Sequence, residues 1–270
     1  MELATLHGAG NAFAVATTRE LGARAPAELA RELCAARGLD GLLEVRPRAA
    51  DGELGMVIWN ADGSRAEACG NGLRCVALFA RERGLAAGDR MRVETDCGTR
   101  TVELLRAGGQ VVRARAGLGR ARIVERAARF QLEGEGEITA VLVEVGNPHC
   151  VVFVDEAGLA RLGTLGPLLA RHARFPAGTN VELALTPEKD AAEIRARVWE
   201  RGVGETAACG TGAAAIAVAA AETGRASLPL PVELPGGRLE VDRDARGEIW
   251  LTGPVAHGAA VATDIAEAPA

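Results

Sequence analysis

The chain reads as an α+β protein built from two similar halves, each a sheet around or against one central helix. Three observations predict this. The run Cys69-Gly70-Asn71-Gly72 opens an apolar, helix-like stretch, and Cys209-Gly210-Thr211-Gly212 opens another 140 positions later. Other landmarks repeat in the same order. Asn60 lies nine residues before the first of these cysteines and Glu200 nine before the second. Gly38-Leu-Asp40 aligns with Gly178-Thr-Asn180 at an offset of 140, and Gly10-Asn11-Ala-Phe13 with Gly146-Asn147-Pro-His149 at 136. Finally, 270 residues with 48 % hydrophobic content suffice for two cores of roughly 130 residues each.

Taken in order, residues 1–17 form an extended segment broken by the turn His7-Gly-Ala-Gly10-Asn11. A helix follows over Pro26–Arg37. Proline suits its first turn, Leu29, Leu33 and Ala36 share a face, and Gly38 closes it. Strands are expected at about 42–46 and 54–59, then the polar loop Asn60-Ala-Asp62-Gly63-Ser64 with Asp-Gly turn chemistry. A helix of about 71–83 carries Leu73, Ala77 and Ala80 on one face with Val76 beside them; Arg81 and Arg83 sit in its last turn and Gly84 follows. Short strands are expected at about 90–95, 99–105 and 110–116, ending at a glycine-rich joint, Ala116-Gly-Leu-Gly119.

In the second half, strands over 138–145 and 150–154 flank the turn Gly146-Asn147-Pro148-His149. A helix of about 157–172 precedes Gly178-Thr-Asn180. Ile194, Ala196 and Val198 alternate with charged residues in a half-buried strand, and the loop Glu200–Glu205 leads to Cys209 and a helix of about 211–223. Residues 230–252 supply two or three more strands.

Composition narrows the partners. Aromatics total 3 %, tyrosine is absent, the net charge is −5 and the pI is near 5.6, which argues against nucleic acid. No apolar run approaches the roughly 20 residues that span a bilayer, and Met1–His7 lacks a signal-peptide pattern. A cytoplasmic protein with no membrane partner is expected. The six cysteines form no C-x-x-C pair, so neither a disulfide scaffold nor a metal knuckle is indicated, and no cofactor-binding pattern appears.

The two repeated cysteines carry the chemistry. A helix N-terminus favours a thiolate, and the same N–H groups hold a carboxylate. Gly70, Gly72, Gly210 and Gly212 let backbone approach without a Cβ in the way. If two such mouths face each other across a cleft, one amino-acid carboxylate is gripped from both sides and its Cα lies between two sulfurs. One thiolate then removes the Cα proton and the opposite thiol returns one, inverting the centre. Cys34, Cys75, Cys97 and Cys150 have no such context and read as packing residues.

The stretches His7–Phe13, Asn60–Ser64, Glu67-Ala-Cys-Gly-Asn-Gly-Leu-Arg-Cys75, Gly146–His149, Gly178–Asn180, Glu200–Thr206 and Cys209–Gly212 together resemble the diaminopimelate epimerase family, in the family's order. The resemblance implies two pseudo-symmetric domains, each a mixed, mainly antiparallel sheet wrapped around a central helix, with the active site in the cleft between them. The domains would span 1–116 and 117–253, the tail from about 254 to 270 returning to the first. It implies a cofactor-independent, metal-free isomerase that commonly dimerises. Cys69 and Cys209 look like the acid–base pair. Gly70-Asn71 and Gly210-Thr211 match the sites that bind the carboxylate at the reacting carbon. Asn11, Asn60, Asn147, Asn180, Glu200 and Arg201 match substrate contacts, Arg201 facing the far carboxylate and Glu200 an ammonium group. His149 and Glu200 match positions that support catalysis. Three departures stand out: Ala12 where the family often has Asp, Gly41 where it often has Gln, and no C-terminal tyrosine.

The expected reaction is conversion of LL-2,6-diaminoheptanedioate to the meso form, in the diaminopimelate route to lysine. Three alternatives remain at this level. The first is a racemase of proline, hydroxyproline or histidine with the same thiols, the second a redox sensor using a Cys69–Cys209 disulfide, and the third a non-catalytic carboxylate-binding module.

Overall fold

The computed structural model describes residues 2–48, 53–66, 69–186, 192–258 and 261–262. The chain divides into two compact units, Met1–Arg115 with Pro254–Ala270, and Ala116–Gly253.

In chain order the first stretch runs β1 (Glu2–Gly8), β2 (Asn11–Thr17), α1 (Thr18–Leu21), α2 (Pro26–Arg37), β3 (Gly41–Pro47), β4 (Leu54–Asn60), β5 (Arg65–Ala66), α3 (Gly70–Glu82), β6 (Arg90–Thr95) and β7 (Gly98–Ala107), and then enters β8 (Gln110–Gly119). The second continues with β9 (Arg122–Leu132), β10 (Gly136–Glu144), β11 (Pro148–Val154), α4 (Glu156–Leu159), α5 (Leu162–Ala170), β12 (Asn180–Leu185), β13 (Ile194–Glu200), β14 (Gly204–Thr206), α6 (Gly210–Glu222), β15 (Leu230–Leu234), β16 (Gly237–Arg243) and β17 (Ile249–Pro254). The chain then returns with β18 (Ala256–His257) and β19 (Val261–Ala262), which pair antiparallel with β1 of the first unit.

Both units follow one path. In the first, β1 pairs antiparallel with β2, β2 parallel with β3, β3 antiparallel with β4, β4 parallel with β6, and β6 antiparallel with β7. In the second, β10–β11, β11–β12, β12–β13, β13–β15 and β15–β16 repeat that sequence of orientations, with β9 on β10 where β18 and β19 lie on β1. The sheets are mixed and mainly antiparallel, as expected.

Each sheet wraps one 13-residue helix. Helix α3 touches β1, β2, β3, β4 and β7, and α6 touches β9, β10, β11, β12, β15 and β16. Every residue of α3 from Gly70 to Ala80, and of α6 from Gly210 to Ala220, is buried. The single apolar face expected for the first helix is thus too narrow: strands close around its whole circumference, which demands apolar or internally bonded side chains at every position. A second helix covers the other side of each sheet. Leu29, Ala30, Leu33 and Cys34 of α2 pack with Ala14, Ala16 and Leu42, while Leu162, Leu165 and Leu169 of α5 pack with Cys150, Val152, Val181 and Leu183. Each leucine so buried contributes about 1.5–3 kcal/mol. Helix α2 begins at Pro26 and ends at Gly38, whose φ of 66° is the left-handed cap expected of it.

Several expectations need correction. The helix expected at 157–172 is two, α4 and α5, broken at Ala160–Arg161; Asp155 caps the first through Gly158 N–H at 2.8 Å. The break turns Leu162 into the core. The joint at 116–119 is not a loop but the end of β8. Strands β9 and β12 were not expected. Cys97 is only half-buried, unlike Cys34, Cys75 and Cys150. Glu67 and Ala68 of the first cysteine motif, and most of the tail after Gly258, lie outside the described residues.

Candidate functional site

In the first unit, Cys69 is the N-cap of α3, with extended backbone (φ −148°, ψ 105°), and its Sγ accepts the Gly72 N–H at 3.2 Å. A thiol that caps a helix in this way is favoured in its anionic form. Asn71, in the first turn, donates through Nδ2 to Asn11 Oδ1 at 2.5 Å. Its own Oδ1 accepts from Arg74 Nη2 at 2.8 Å, and Arg74 Nη1 donates to Gly70 O at 3.2 Å. Arg74 is fully buried and also reaches Pro254 O; burial lowers its pKa to about 10. Sequence reasoning passed over Arg74 as a plain helix residue. Its signal was a charged side chain inside an otherwise apolar run. Asn60, at the end of β4, donates to Ser64 Oγ at 3.0 Å.

Ala12, one of the departures near this mouth, is bonded to Asp40, the residue that precedes the other, Gly41. The Ala12 N–H donates to Asp40 Oδ2 at 2.7 Å, and the Asp40 N–H returns a bond to Ala12 O at 2.8 Å. A Cβ at position 41 would lie 2.5 Å from Trp59 O, so this backbone admits only glycine there.

In the second unit, Cys209 is the N-cap of α6, also extended (φ −128°, ψ 116°), and is buried. Burial, then the charges of Glu200 and Glu182, push its thiol well above the usual range; the Thr211 hydroxyl at 3.5 Å and the Gly212 N–H oppose this. Glu200 accepts from Thr206 Oγ1 at 2.6 Å and from the Cys209 thiol, and burial raises its carboxyl above the ordinary value. Arg201 donates its backbone N–H to Asn180 Oδ1 at 2.9 Å, while Asn180 Nδ2 donates to Pro148 O. His149 Nδ1 lies 2.6 Å from Glu182 Oε1 and its Nε2 lies 2.9 Å from Asn147 Oδ1.

The structure therefore brings Asn11, Asn71 and Gly70 together around Cys69. Around Cys209 it gathers Glu200 and Thr211, each in contact with the thiol, and it forms the pairs Asn147 with His149 and Asn180 with the Arg201 backbone N–H. Glu182 is the residue in this group that the sequence did not flag. Its signal was a carboxylate set between Val181 and Leu183 in an apolar strand. Among the described residues, no group of three His, Cys, Asp or Glu is placed to hold a metal ion.

Residues 3–124 and 141–258 match the family model described as diaminopimelate epimerase. A diaminopimelate epimerase of Desulforudis audaxviator is 44 % identical over 276 residues, covering 94 % of this chain and 96 % of its own. That of Moorella thermoacetica is 39 % identical over 275 residues, with 94 % and 96 % covered. Among solved structures, a probable proline racemase from Agrobacterium radiobacter has a TM-score of 0.74 at 18 % identity, covering 98 % of this chain and 93 % of that one. A hydroxyproline epimerase from Agrobacterium vitis has a TM-score of 0.72 at 17 % identity, covering 97 % and 90 %. At such identities the structures share the fold, whereas the sequence matches extend along nearly the whole chain. The chain belongs to the diaminopimelate epimerase family.

Proposed function

We propose that this isomerase interconverts LL- and meso-2,6-diaminoheptanedioate by proton transfer between a thiolate and a thiol at Cα, with Cys69 and Cys209 as the two catalytic residues. The observation that carries the reading is the matched placement of the two sulfurs. Each is the N-cap of the one helix its own sheet encloses, at equivalent points of an internal repeat. The sulfur–hydrogen bond of one cysteine forms as the Cα–H bond breaks. The electron pair left on Cα then takes the proton of the other thiol on the opposite face, so no redox step is involved.

The N–H groups of Gly70-Asn71 and Gly210-Thr211 bind the carboxylate next to the reacting carbon and stabilise charge that spreads onto it. Asn11, Asn60, Asn147 and Asn180 present amides to the substrate. Glu200 takes an ammonium group, and Arg201 pairs with the far carboxylate, which makes a dicarboxylic substrate preferred. Proton NMR of LL-diaminopimelate with reduced enzyme in D₂O should show deuterium entering Cα as the meso isomer appears. Cys69→Ala and Cys209→Ala should each reduce turnover by at least about 10³-fold, since either alone breaks the proton relay. Normal turnover in either single variant would sink the mechanism. Exchange with proline or histidine but not with the dicarboxylate would move the substrate and keep the thiols.

A further inference from the structure

Strand β12 carries Glu182 between Val181 and Leu183, and all three are buried. Alternate residues of a strand face opposite ways. Val181 and Leu183 join the cluster under α5, so Glu182 points the other way, toward α6. The contact is close: a Cβ on Gly212 would lie 2.9 Å from Glu182 Oε1. His149 sits on the same side of the neighbouring strand, since Cys150 and Val152 belong to the α5 cluster. Parallel pairing of His149 with Asn180 brings the ring against the carboxylate, both side chains fully buried. Glu182 Oε2 has no hydrogen-bond partner of its own.

The first unit holds different side chains at the equivalent position. There Phe13 pairs with Gly41 as His149 pairs with Asn180, and Leu43 Cδ2 lies 3.2 Å from where a Cβ on Gly72 would be. One copy of the fold floors its helix mouth with phenylalanine and leucine, the other with histidine and glutamate. A buried carboxylate with an unsatisfied oxygen is costly, and the fold does not need it.

We propose that Glu182 is a positioning residue for the Cys209 half of the site: it accepts the Nδ1 proton of His149, so that Nε2–H donates to Asn147 Oδ1 and leaves the Asn147 NH₂ for the substrate. This rests on the reading of Asn147 as a substrate contact. Both ring nitrogens face oxygen acceptors, the geometry of a doubly protonated imidazole balanced by the Glu182 carboxylate. Glu182 acts through His149 and does not itself meet the substrate. Its charge also adds to that of Glu200 in keeping the Cys209 thiol protonated.

The test uses the full-length enzyme and Glu182→Gln. Nitrogen-15 NMR of the His149 ring, assigned by its loss in His149→Gln, should show protons on both nitrogens in the wild type and on one in Glu182→Gln. That readout needs no turnover, so it stands whether or not diaminopimelate is the substrate. With LL-diaminopimelate, Glu182→Gln should lose on the order of 10- to 100-fold in kcat/KM, by analogy with the loss when the partner that orients a metal-ligating histidine is removed. The loss should fall mainly in KM. Combining it with Asn147→Ala should cost little more than Asn147→Ala alone, because both break one relay. His149→Phe with Glu182→Leu, which installs the first unit's pair, should fold with an undiminished urea midpoint yet lose activity. A singly protonated ring in the wild type, a ring unchanged in Glu182→Gln, or additive losses would overturn the proposal. If Glu182→Gln does not fold, the wild-type ring alone decides.

Discussion

The two thiols share a backbone position but not an environment, and that contrast sets their reactivity. Cys69 is half-buried and accepts an N–H, whereas Cys209 is buried beside two carboxylates that hold its proton on. Cys34 is raised to about 11 and Cys75 to about 12 by burial, and Cys150 lies higher still. Brief iodoacetamide treatment near pH 8, followed by peptide mass mapping, should therefore label Cys69 well before Cys209, since the thiolate is the nucleophile. Equal labelling would contradict the contrast. Glu200 gives a second expectation. Its folded carboxyl titrates above the ordinary value of 4.5, so between that value and its raised one the native state holds a proton the unfolded chain has lost. Stability then falls as pH rises through that window. The urea stability of wild type relative to Glu200→Gln should decline from about pH 4.5 upward; a difference that is flat or rises with pH rules this out. At this scale the cysteines and the asparagine turns were legible, because a Cys-Gly-polar-Gly run constrains its own backbone. Glu182 and Arg74 were not, since their meaning comes from partners 33 residues away in His149 and 180 away in Pro254.

Among the elements, α3 and α6 were readable from their caps and apolar runs to within a residue at each end, but β9 and β12 escaped. In β9 the exposed edge of an alternating strand carries Arg122, Arg126 and Arg129, which hides the buried Ala128, Phe130 and Leu132. In β12 the buried carboxylate of Glu182 interrupts what would otherwise read as a core strand. The split of α4 from α5 was lost because helical periodicity runs on through Ala160 and Arg161, while the chain bends to seat Leu162. The approach of α5 also needs Gly166, where a Cβ would lie 2.8 Å from the Trp199 ring. The paired glycines of the central helices separate packing from function. A Gly→Ala change in a helix gains about 0.5–1 kcal/mol in propensity. At Gly72 the new methyl meets Leu43 Cδ2 at 3.2 Å, a flexible group that gives way, so Gly72→Ala should unfold within about 1 kcal/mol of wild type. At Gly212 it meets Glu182 Oε1 at 2.9 Å, and that oxygen is bound to His149 and has nowhere to retreat. Gly212→Ala should lose about 1–3 kcal/mol in urea unfolding and roughly 100-fold in kcat/KM. Equal effects at the two glycines would show that the floor beneath the helix does not matter.

For the molecule as a whole, the same strand path drawn twice explains why the repeat was visible in sequence at offsets of 136 to 140. Each landmark turn sits between the same two strands in both copies, so the chain keeps its spacing. The copies differ in how they are closed. The second unit supplies its own outer strand, β9, against β10, whereas the first borrows β18 and β19 from the far end of the chain to cover β1. That return also brings Pro254 O to the buried Arg74, seats Val255 in the core, and pairs His257 Nε2 with Glu82 at 2.7 Å. A chain ending at Gly253 should therefore damage only the first unit. Losing the burial of Val255 costs about 1.5–3 kcal/mol, and leaving one Arg74 donor unmet adds about 1. Hydrogen exchange should show β1 and α3 opening about 2.5–4 kcal/mol more easily, while α6 and β11 keep their protection. Because Arg74 holds Asn71, and Asn71 holds Asn11, the truncated enzyme should also lose activity although both thiols remain. Uniform loss of protection across α3 and α6 would mean that the tail serves the whole chain and not the unit to which its strands belong.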